Sequence, residues 1–232
     1  MSAGAGLARD MLLAASLLLV VAVAGVGVVA FTQSQTEEPI EVRRQEQTLR
    51  QLDAILDAER YTNNPATDII AVQDERLGSE QPLTVYRARH EDEPEAAVLT
   101  VIAPDGYSGP IELLVAINMD GTVAGVRIVD HQETPGLGDA IEAERSDWAD
   151  DFRGRALGDP PADEWTVERD GGAFDQFTGA TITPRAVVKA VANALDFFED
   201  ESGTLFEARE PDENNDEDND TNDTGDNDEN GE

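Results

Sequence analysis

The sequence predicts an α+β fold, an antiparallel sheet with flanking helices, preceded by one N-terminal transmembrane helix. Three observations predict it. Residues 11–31 form an apolar run without a charged side chain, strand-like runs follow between 68 and 129, and a helix-like apolar pattern begins at Pro184. No internal repeat is visible in the 232 residues, so we expect one domain with appendages.

The composition excludes several classes of site. The chain carries 50 acidic and 16 basic residues, a formal net charge of −34, and no cysteine. Without cysteine, disulfides, Cys-ligated zinc and iron–sulfur clusters are excluded, and with only two histidines we assign no metal ligands. We expect no binding to nucleic acid, because a polyanion requires a basic patch. Redox chemistry in this chain would therefore need an organic cofactor.

Residues 11–31 are predicted to be a single transmembrane anchor that follows a short segment, 1–10. These 21 residues are long enough to cross a hydrocarbon core of about 30 Å. A secretory signal has a shorter apolar core, of about 7–15 residues. The charges beside the run slightly favour a cytoplasmic N-terminus. We therefore expect a single-pass protein of the cell inner membrane, with its body on the periplasmic side.

The stretch 37–60 is predicted to be a helical stalk between the anchor and the domain. Its apolar residues recur with near-helical spacing, namely Ile40, Val42, Leu49, Leu52, Ile55 and Leu56. We assign the domain itself to 61–209. The remainder, 210–232, holds 12 acidic residues and neither a basic nor an aromatic one, so we expect a disordered acidic tail.

The sheet is expected from runs rich in β-branched and apolar residues, at 68–72, 83–89, 97–102, 111–118 and 122–129. The last two runs flank Asp120-Gly121, which is a strong hairpin signal. A further strand is expected at 165–169.

Helical structure is expected after the sheet, first as short pieces around 139–152. A closing helix then runs from Pro184 to about residue 200, and its apolar side is formed by Val187, Val188, Val191, Leu195 and Phe198. We interpret His131 as structural, and Trp148 and Trp165 as core residues.

The stretch 175–185, Asp-Gln-Phe-Thr-Gly-Ala-Thr-Ile-Thr-Pro-Arg, delivers three hydroxyls to the predicted helix start. Thr183 is a candidate N-cap, Pro184 suits the first helical position, and Gly179 permits a tight turn. A helix start offers free backbone N–H groups and can hold a phosphate. The residues alone leave two alternatives open: a phosphate site, or a capped helix after a polar loop.

Two strings in this chain carry a resemblance to a known family. Residues 175–181 are similar to the flavin-attachment motif Asp-x-x-(Ser/Thr)-Gly-Ala-Thr of FMN-binding domains. The longer string GGAFDQFTGATITPRAVVKAV and the upstream string HQETPGLGDAIE, with Asp147-Trp148 soon after, resemble the G subunit of the Rnf (Rsx) electron transport complexes. The resemblance extends from the apolar span to about residue 200, and the acidic tail departs from it.

The resemblance implies a role for individual residues. Thr181 would carry FMN as a phosphoester that a flavin transferase forms. Thr178, Gly179 and Ala180 match the body of the motif, and Asp175 matches its first acid, which would assist the transferase. The loop 133–139 would approach the flavin through Glu133, Thr134, Gly136 and Leu137.

The same resemblance implies a function. We expect a covalently flavinylated, membrane-anchored subunit of an Rnf-type complex, which couples electron transfer between ferredoxin and NADH to Na⁺ or H⁺ translocation. The protein would carry electrons without turnover of its own, and no residue is assigned as catalytic. The alternatives are the C subunit of the Na⁺-translocating NADH:quinone reductase, which shares the flavin motif, and a cofactor-free membrane-anchored adaptor.

Overall fold

The computed structural model describes residues 18–19, 22–23, 25–26, 45 and 47–207. Most of the predicted anchor, the segment 1–10 and the acidic tail 210–232 lie outside the described residues, and the described positions within 11–31 are helical. Among the residues that the structure describes, no helix has the length and apolar character needed to cross a membrane.

The centre of the domain is a five-stranded antiparallel sheet in which every strand pairs with its neighbours in sequence. The spatial order is β1-β2-β3-β4-β5. The strands are β1 (Ile69–Val72), β2 (Leu83–His90), β3 (Glu93–Ala103), β4 (Ile111–Asn118) and β5 (Val123–Asp130). The α+β class with an antiparallel sheet is therefore confirmed, and all five expected strands form.

One strand starts earlier than the sequence indicated. β3 begins at Glu93 rather than at residue 97, and His90 pairs directly with Glu93. The reversal is made by Glu91 and Asp92, both with positive φ, of 48° and 71°. Two such residues are what a tight two-residue hairpin requires, but the usual signal for it is Asn-Gly or Asp-Gly. The pair Glu91-Asp92 carries no such sequence signal.

One face of the sheet is covered by helix α2 (Ile182–Leu205), of 24 residues. The predicted apolar side of this helix is buried in the main core, which also holds the inward-facing residues of the strands. The helix begins two residues before the predicted start at Pro184. Its first turn therefore contains Thr183.

The other face of the sheet is covered by the chain that precedes β1. Residues 45 and 47–53 are the described part of helix α1. Leu52, Ile55 and Leu56 pack with small and apolar residues of β2 to β5 in a second core. Helix α1 ends at residue 53, so the prediction of a helical stalk to residue 60 is wrong there. The chain turns at 54–56, and this turn places Ile55 and Leu56 on the sheet, with Ile55 beside Gly125.

The segment between β5 and α2 is built from short 3-10 helices. Gly138–Ile141 and Trp148–Phe152 confirm the expected helical pieces. The predicted strand at 165–169 is wrong: Val167 makes one isolated bridge to Phe174, and Glu168–Asp170 forms another 3-10 turn.

An aromatic cluster explains the local apolar pattern of that segment. Phe152 stacks on Phe174 with ring centroids 4.7 Å apart, and Trp165 lies 5.1 Å from Phe174. Trp148 and Trp165 are both buried, which confirms them as core residues. The apolar residues of 165–169 are thus buried in a loop cluster rather than in a sheet.

Candidate functional site

A cavity of about 470 Å³ opens where four parts of the chain meet: the β3–β4 loop, the loop after β5, the 3-10 turn Glu168–Asp170 and the start of α2. The side chains and backbone that line it belong to Tyr107, Glu133, Thr134, Leu137, Gly138, Arg169, Gly179, Ala180, Thr181, Ile182 and Thr183. The structure thus brings parts of the two stretches selected from the sequence, 133–139 and 175–185, to one place.

The approach to α2 is a four-residue turn, closed by a hydrogen bond from the backbone N–H of Ala180 to the carbonyl of Phe177, 3.1 Å. Gly179 occupies the third position with φ of 86°, a value that favours glycine in such a turn. A Cβ there would meet only Leu137 Cδ2, at 3.5 Å, so the dihedral angle and not space selects glycine. The turn holds Thr178 on the surface, outside the cavity lining.

Thr181 occupies the N-cap position of α2, and its side chain makes no capping hydrogen bond. The residue is half-buried and lines the cavity, and its carbonyl accepts a bond from the backbone N–H of Arg185, 3.3 Å. An N-cap hydroxyl ordinarily accepts from the backbone of the first turn. Since it does not do so here, the hydroxyl is available to the cavity.

Thr183 is not the N-cap that the sequence indicated. It lies in the first turn of α2 at 0% exposure, and its hydroxyl donates to Oε2 of Glu133, itself 4% exposed. The other carboxylate oxygen, Oε1, accepts from the backbone N–H of Ser108, 2.9 Å. A buried carboxylate is thereby satisfied twice, and it joins the β3–β4 loop, the loop after β5 and the start of α2.

The floor of the cavity leaves no room for a side chain at Gly138. A Cβ at that position would lie 2.7 Å from Glu133 Oε2 and 2.9 Å from Thr183 Oγ1. Glycine at 138 is therefore required by the hydrogen bond between those two residues. It also leaves the adjacent cavity open.

The loop after β5 is stabilised by its own polar contacts. The backbone N–H of Glu133 donates to Nδ1 of His131, 3.0 Å, so Nε2 of the ring carries the proton that is shared with Glu142 Oε1, 2.8 Å. The backbone N–H of Gly136 donates to Asp139 Oδ1, 2.7 Å. Gly136 itself does not line the cavity. His131 thus has a structural place, as expected. Within the described part of the chain, no group of His, Asp or Glu side chains could hold a metal ion.

Asp175, the first acid of the attachment motif, lies on the surface and outside the cavity lining. Its backbone carbonyl accepts a hydrogen bond from the indole N–H of Trp148, 2.9 Å. The same indole packs edge-on against Phe177, with centroids 5.3 Å apart. The motif is therefore attached to the core by its main chain and one aromatic ring, and the Asp175 carboxylate is left to solvent.

Sequence reasoning missed three residues of the cavity lining: Tyr107, Arg169 and Ile182. Tyr107 is 68% exposed, and Leu137 and Ile182 beside it are also exposed, so the mouth of the cavity is apolar. Tyr107 stands alone in a polar loop, and Arg169, six residues before the motif begins at Asp175, belongs to a stretch that was expected to be a strand. Ile182 lies inside the motif string, and this position is the one signal that could have selected any of the three.

Comparison with known proteins places this site in a family. The FMN-binding domain model matches residues 106–196, and the RnfG N-terminal region model matches residues 1–55. The chain is 46% identical over 192 residues to the G subunit of the ion-translocating oxidoreductase complex of Pseudomonas aeruginosa, covering 82% of this chain and 90% of the relative. The chain belongs to the RnfG family, the G subunits of ion-translocating oxidoreductase complexes.

Other members of the RnfG family are similar over the same extent. The G subunit from Pseudoalteromonas atlantica is 46% identical, over 78% of this chain and 85% of its own length, and that from Vibrio atlanticus is 43% identical, over 81% and 90%. Every residue that lines the cavity falls within the match to the FMN-binding domain.

A solved structure, the C subunit of the Na⁺-translocating NADH-quinone reductase of Parabacteroides distasonis, is 17% identical to this chain. The match covers 72% of this chain and 98% of that protein, with a TM-score of 0.40. A likeness of this size carries no information about function.

Proposed function

We propose that this protein carries FMN as a phosphoester on Thr181 and passes electrons within an ion-translocating oxidoreductase complex. One observation carries the proposal: Thr181 stands at the start of α2, lines a cavity of about 470 Å³, and does not use its hydroxyl to cap the helix. Membership of the RnfG family and the match to an FMN-binding domain support the choice of cofactor.

The residues present fit a flavin nucleotide. The cavity volume lies in the range of small-molecule sites, about 300–1,000 Å³. The first turn of α2 presents free backbone N–H groups and the positive end of the helix dipole, which favour a phosphate. The exposed side chains of Tyr107, Leu137 and Ile182 offer an apolar contact for a flat ring system.

FMN would supply the ability to take and give electrons one at a time. The chain's own contribution is position. The buried Glu133 fixes the β3–β4 loop and the start of α2 relative to each other, and Gly138 keeps the floor open. A covalent link at Thr181 would hold the cofactor at one distance from its electron partners.

Formation of the ester requires an activated donor. In the step that we propose, the bond between Thr181 Oγ1 and phosphorus forms while a P–O bond of a flavin pyrophosphate breaks. The leaving phosphate takes the electron pair, and the proton of the Thr181 hydroxyl is released. A flavin transferase would bring this donor, and the exposed Asp175 carboxylate is accessible to such a second protein.

The finer assignments extend the proposal. The protein would be a single-pass component of the cell inner membrane, anchored by 11–31, with the flavin domain in the periplasm. Its complex would couple electron transfer between ferredoxin and NADH to movement of Na⁺ or H⁺, and it would turn over no substrate alone. Removal of residues 1–34 tests the anchor, because the truncated protein should no longer sediment with washed membranes that lack the rest of the complex.

The attachment itself is tested by intact mass after co-expression with a flavin transferase. Thr181→Val keeps the shape of the side chain and removes the nucleophilic oxygen, so the added mass of one FMN less water should disappear. Thr178→Val and Thr183→Val are the matched variants, and each should keep that mass. Flavin mass on Thr181→Val would contradict the assignment.

A further inference from the structure

Arg169 contributes the only basic side chain to the cavity lining in the described part of the chain. It belongs to the 3-10 turn Glu168–Asp170 and is exposed. The described Lys and Arg side chains mostly form ion pairs, for example Arg185 with Asp170 at 2.6 Å and Lys189 with Asp105 at 2.8 Å. Arg169 forms no ion pair with any described residue.

Two contacts hold the turn of Arg169 beside the start of α2. The backbone N–H of Arg169 donates to Oε1 of Gln176, 2.8 Å, and Gln176 belongs to the attachment motif. Asp170, the next residue, is bound by Arg185 in the first turns of α2. The turn ends at Gly171 with φ of 91°. Its position is therefore fixed relative to the motif, while no described carboxylate occupies the guanidinium.

The two charged groups of the cavity lining have opposite signs, so an added phosphate would leave an excess of negative charge. The charged groups that line it are the Glu133 carboxylate and the Arg169 guanidinium. A phosphodiester at Thr181 would add a further negative charge close to buried Glu133, in a protein with a net charge of −34. The helix start offers only partial positive charge. A guanidinium is well suited to a phosphate, since its planar fork of donors matches two phosphate oxygens.

We propose that Arg169 is a positioning residue that pairs with the phosphate of the flavin nucleotide on Thr181, an inference that rests on the proposed function. Its guanidinium neutralises the phosphodiester and holds it at the start of α2. The pair limits rotation of the flavin about the ester linkage. In this arrangement, the attachment site has one covalent contact and one ionic contact.

The first test is chemical modification of arginines by phenylglyoxal, followed by peptide mass spectrometry. Flavinylated protein is compared with the unmodified Thr181→Val variant, after intact mass has established the flavin content of each. Arg169 should react about two- to fivefold more slowly in the flavinylated protein, as expected for one ion pair at an exposed position. Arg153, which is exposed and does not line the cavity, should react at the same rate in both.

The second test separates the phosphate from the ring as the partner of Arg169. The ³¹P resonance of the phosphodiester should move in Arg169→Gln, return part of the way in Arg169→Lys, and stay in place in Arg153→Gln. Equal reactivity of Arg169 in both proteins, or an unmoved ³¹P resonance in Arg169→Gln, overturns the pairing. A protein without flavin mass would instead contradict the proposed function itself.

Discussion

The hydroxyl of Thr183 donates a hydrogen bond to Oε2 of Glu133, 50 residues earlier in the chain, and both side chains are buried. Because Glu133 also accepts from the backbone of Ser108, this pair links the start of α2 to two loops at the end of the sheet. The cavity therefore depends on a polar contact as well as on apolar packing.

Thr183→Val should destabilise the protein by about 1–3 kcal/mol, because it leaves a buried carboxylate with one partner fewer. The free energy of unfolding, from urea denaturation of the full chain in detergent, measures the loss. Glu133→Gln and the double variant complete a cycle, with an expected coupling of about 0.5–3 kcal/mol for two residues in contact. Additive effects of the two substitutions would show that the bond does not contribute to stability.

Gly179→Ala should impair flavin attachment, because φ of 86° is unfavourable for alanine and the turn before Thr181 would distort. Gly121→Ala is the matched control. That glycine has φ of 82° and open space around it, but it lies in the β4–β5 hairpin. Both variants should lose about 1 kcal/mol of stability, and only Gly179→Ala should show a lower fraction of flavinylated protein by intact mass. Equal flavin content in both would contradict this role of the turn.

The ion pair between Asp170 and Arg185 should be visible in a pH titration. The hydrogen bond from the Arg185 side chain holds the pKa of Asp170 below its ordinary value. A lowered pKa means that the pair stabilises the fold above the ordinary carboxyl pKa, and that this contribution is lost as the pH falls through the lowered value. Carboxyl-carbon NMR should find a higher pKa for Asp170 in Arg185→Gln than in the unaltered protein. An unchanged titration curve would show that the pair does not form in solution.

Gly125→Ala should destabilise the protein by about 1–3 kcal/mol through overpacking. A Cβ on this β5 residue would lie 2.8 Å from the carbonyl oxygen of Ile55, in the segment that covers the outer face of the sheet. Gly203→Ala is a control of opposite sign. It lies in α2 with nothing within 4 Å, so alanine there should stabilise the helix by about 0.5–1 kcal/mol. Thermal melting of both variants measures the two shifts, and a neutral Gly125→Ala would mean that the covering segment is loosely held.

Local sequence patterns were enough to predict the sheet. The strands alternate or run apolar over five or more residues in most cases, and the Asp-Gly pair marks the β4–β5 hairpin. The start of α2 could not be found in the same way. Thr183-Pro184 has the form of a cap followed by a first helical residue, and only the distant Glu133 explains why the Thr183 hydroxyl is inside the helix.

The sequence predicted only part of the candidate site, because local motifs do not reveal residues that tertiary structure brings to the cavity. Motif residues near Thr181 and in the loop after β5 carry a local signature, so the sequence selected both stretches. Tyr107 and Arg169 reach the cavity only through tertiary structure, from the β3–β4 loop and from a 3-10 turn. The alternating pattern at 165–169 is typical of a strand, but Trp165 packs against Phe174 in a loop cluster.

The neighbour-to-neighbour order of the sheet has a consequence for maturation. Each strand pairs only with strands adjacent in sequence, so the sheet can assemble progressively while the chain is still being synthesised. The cavity is different, since it draws on residues from Tyr107 to Thr183 and is complete only when α2 has docked. If Thr181 receives the flavin, an unfinished or misfolded chain would present the threonine without its surroundings. Flavin content would then report the fraction of chains that have completed folding.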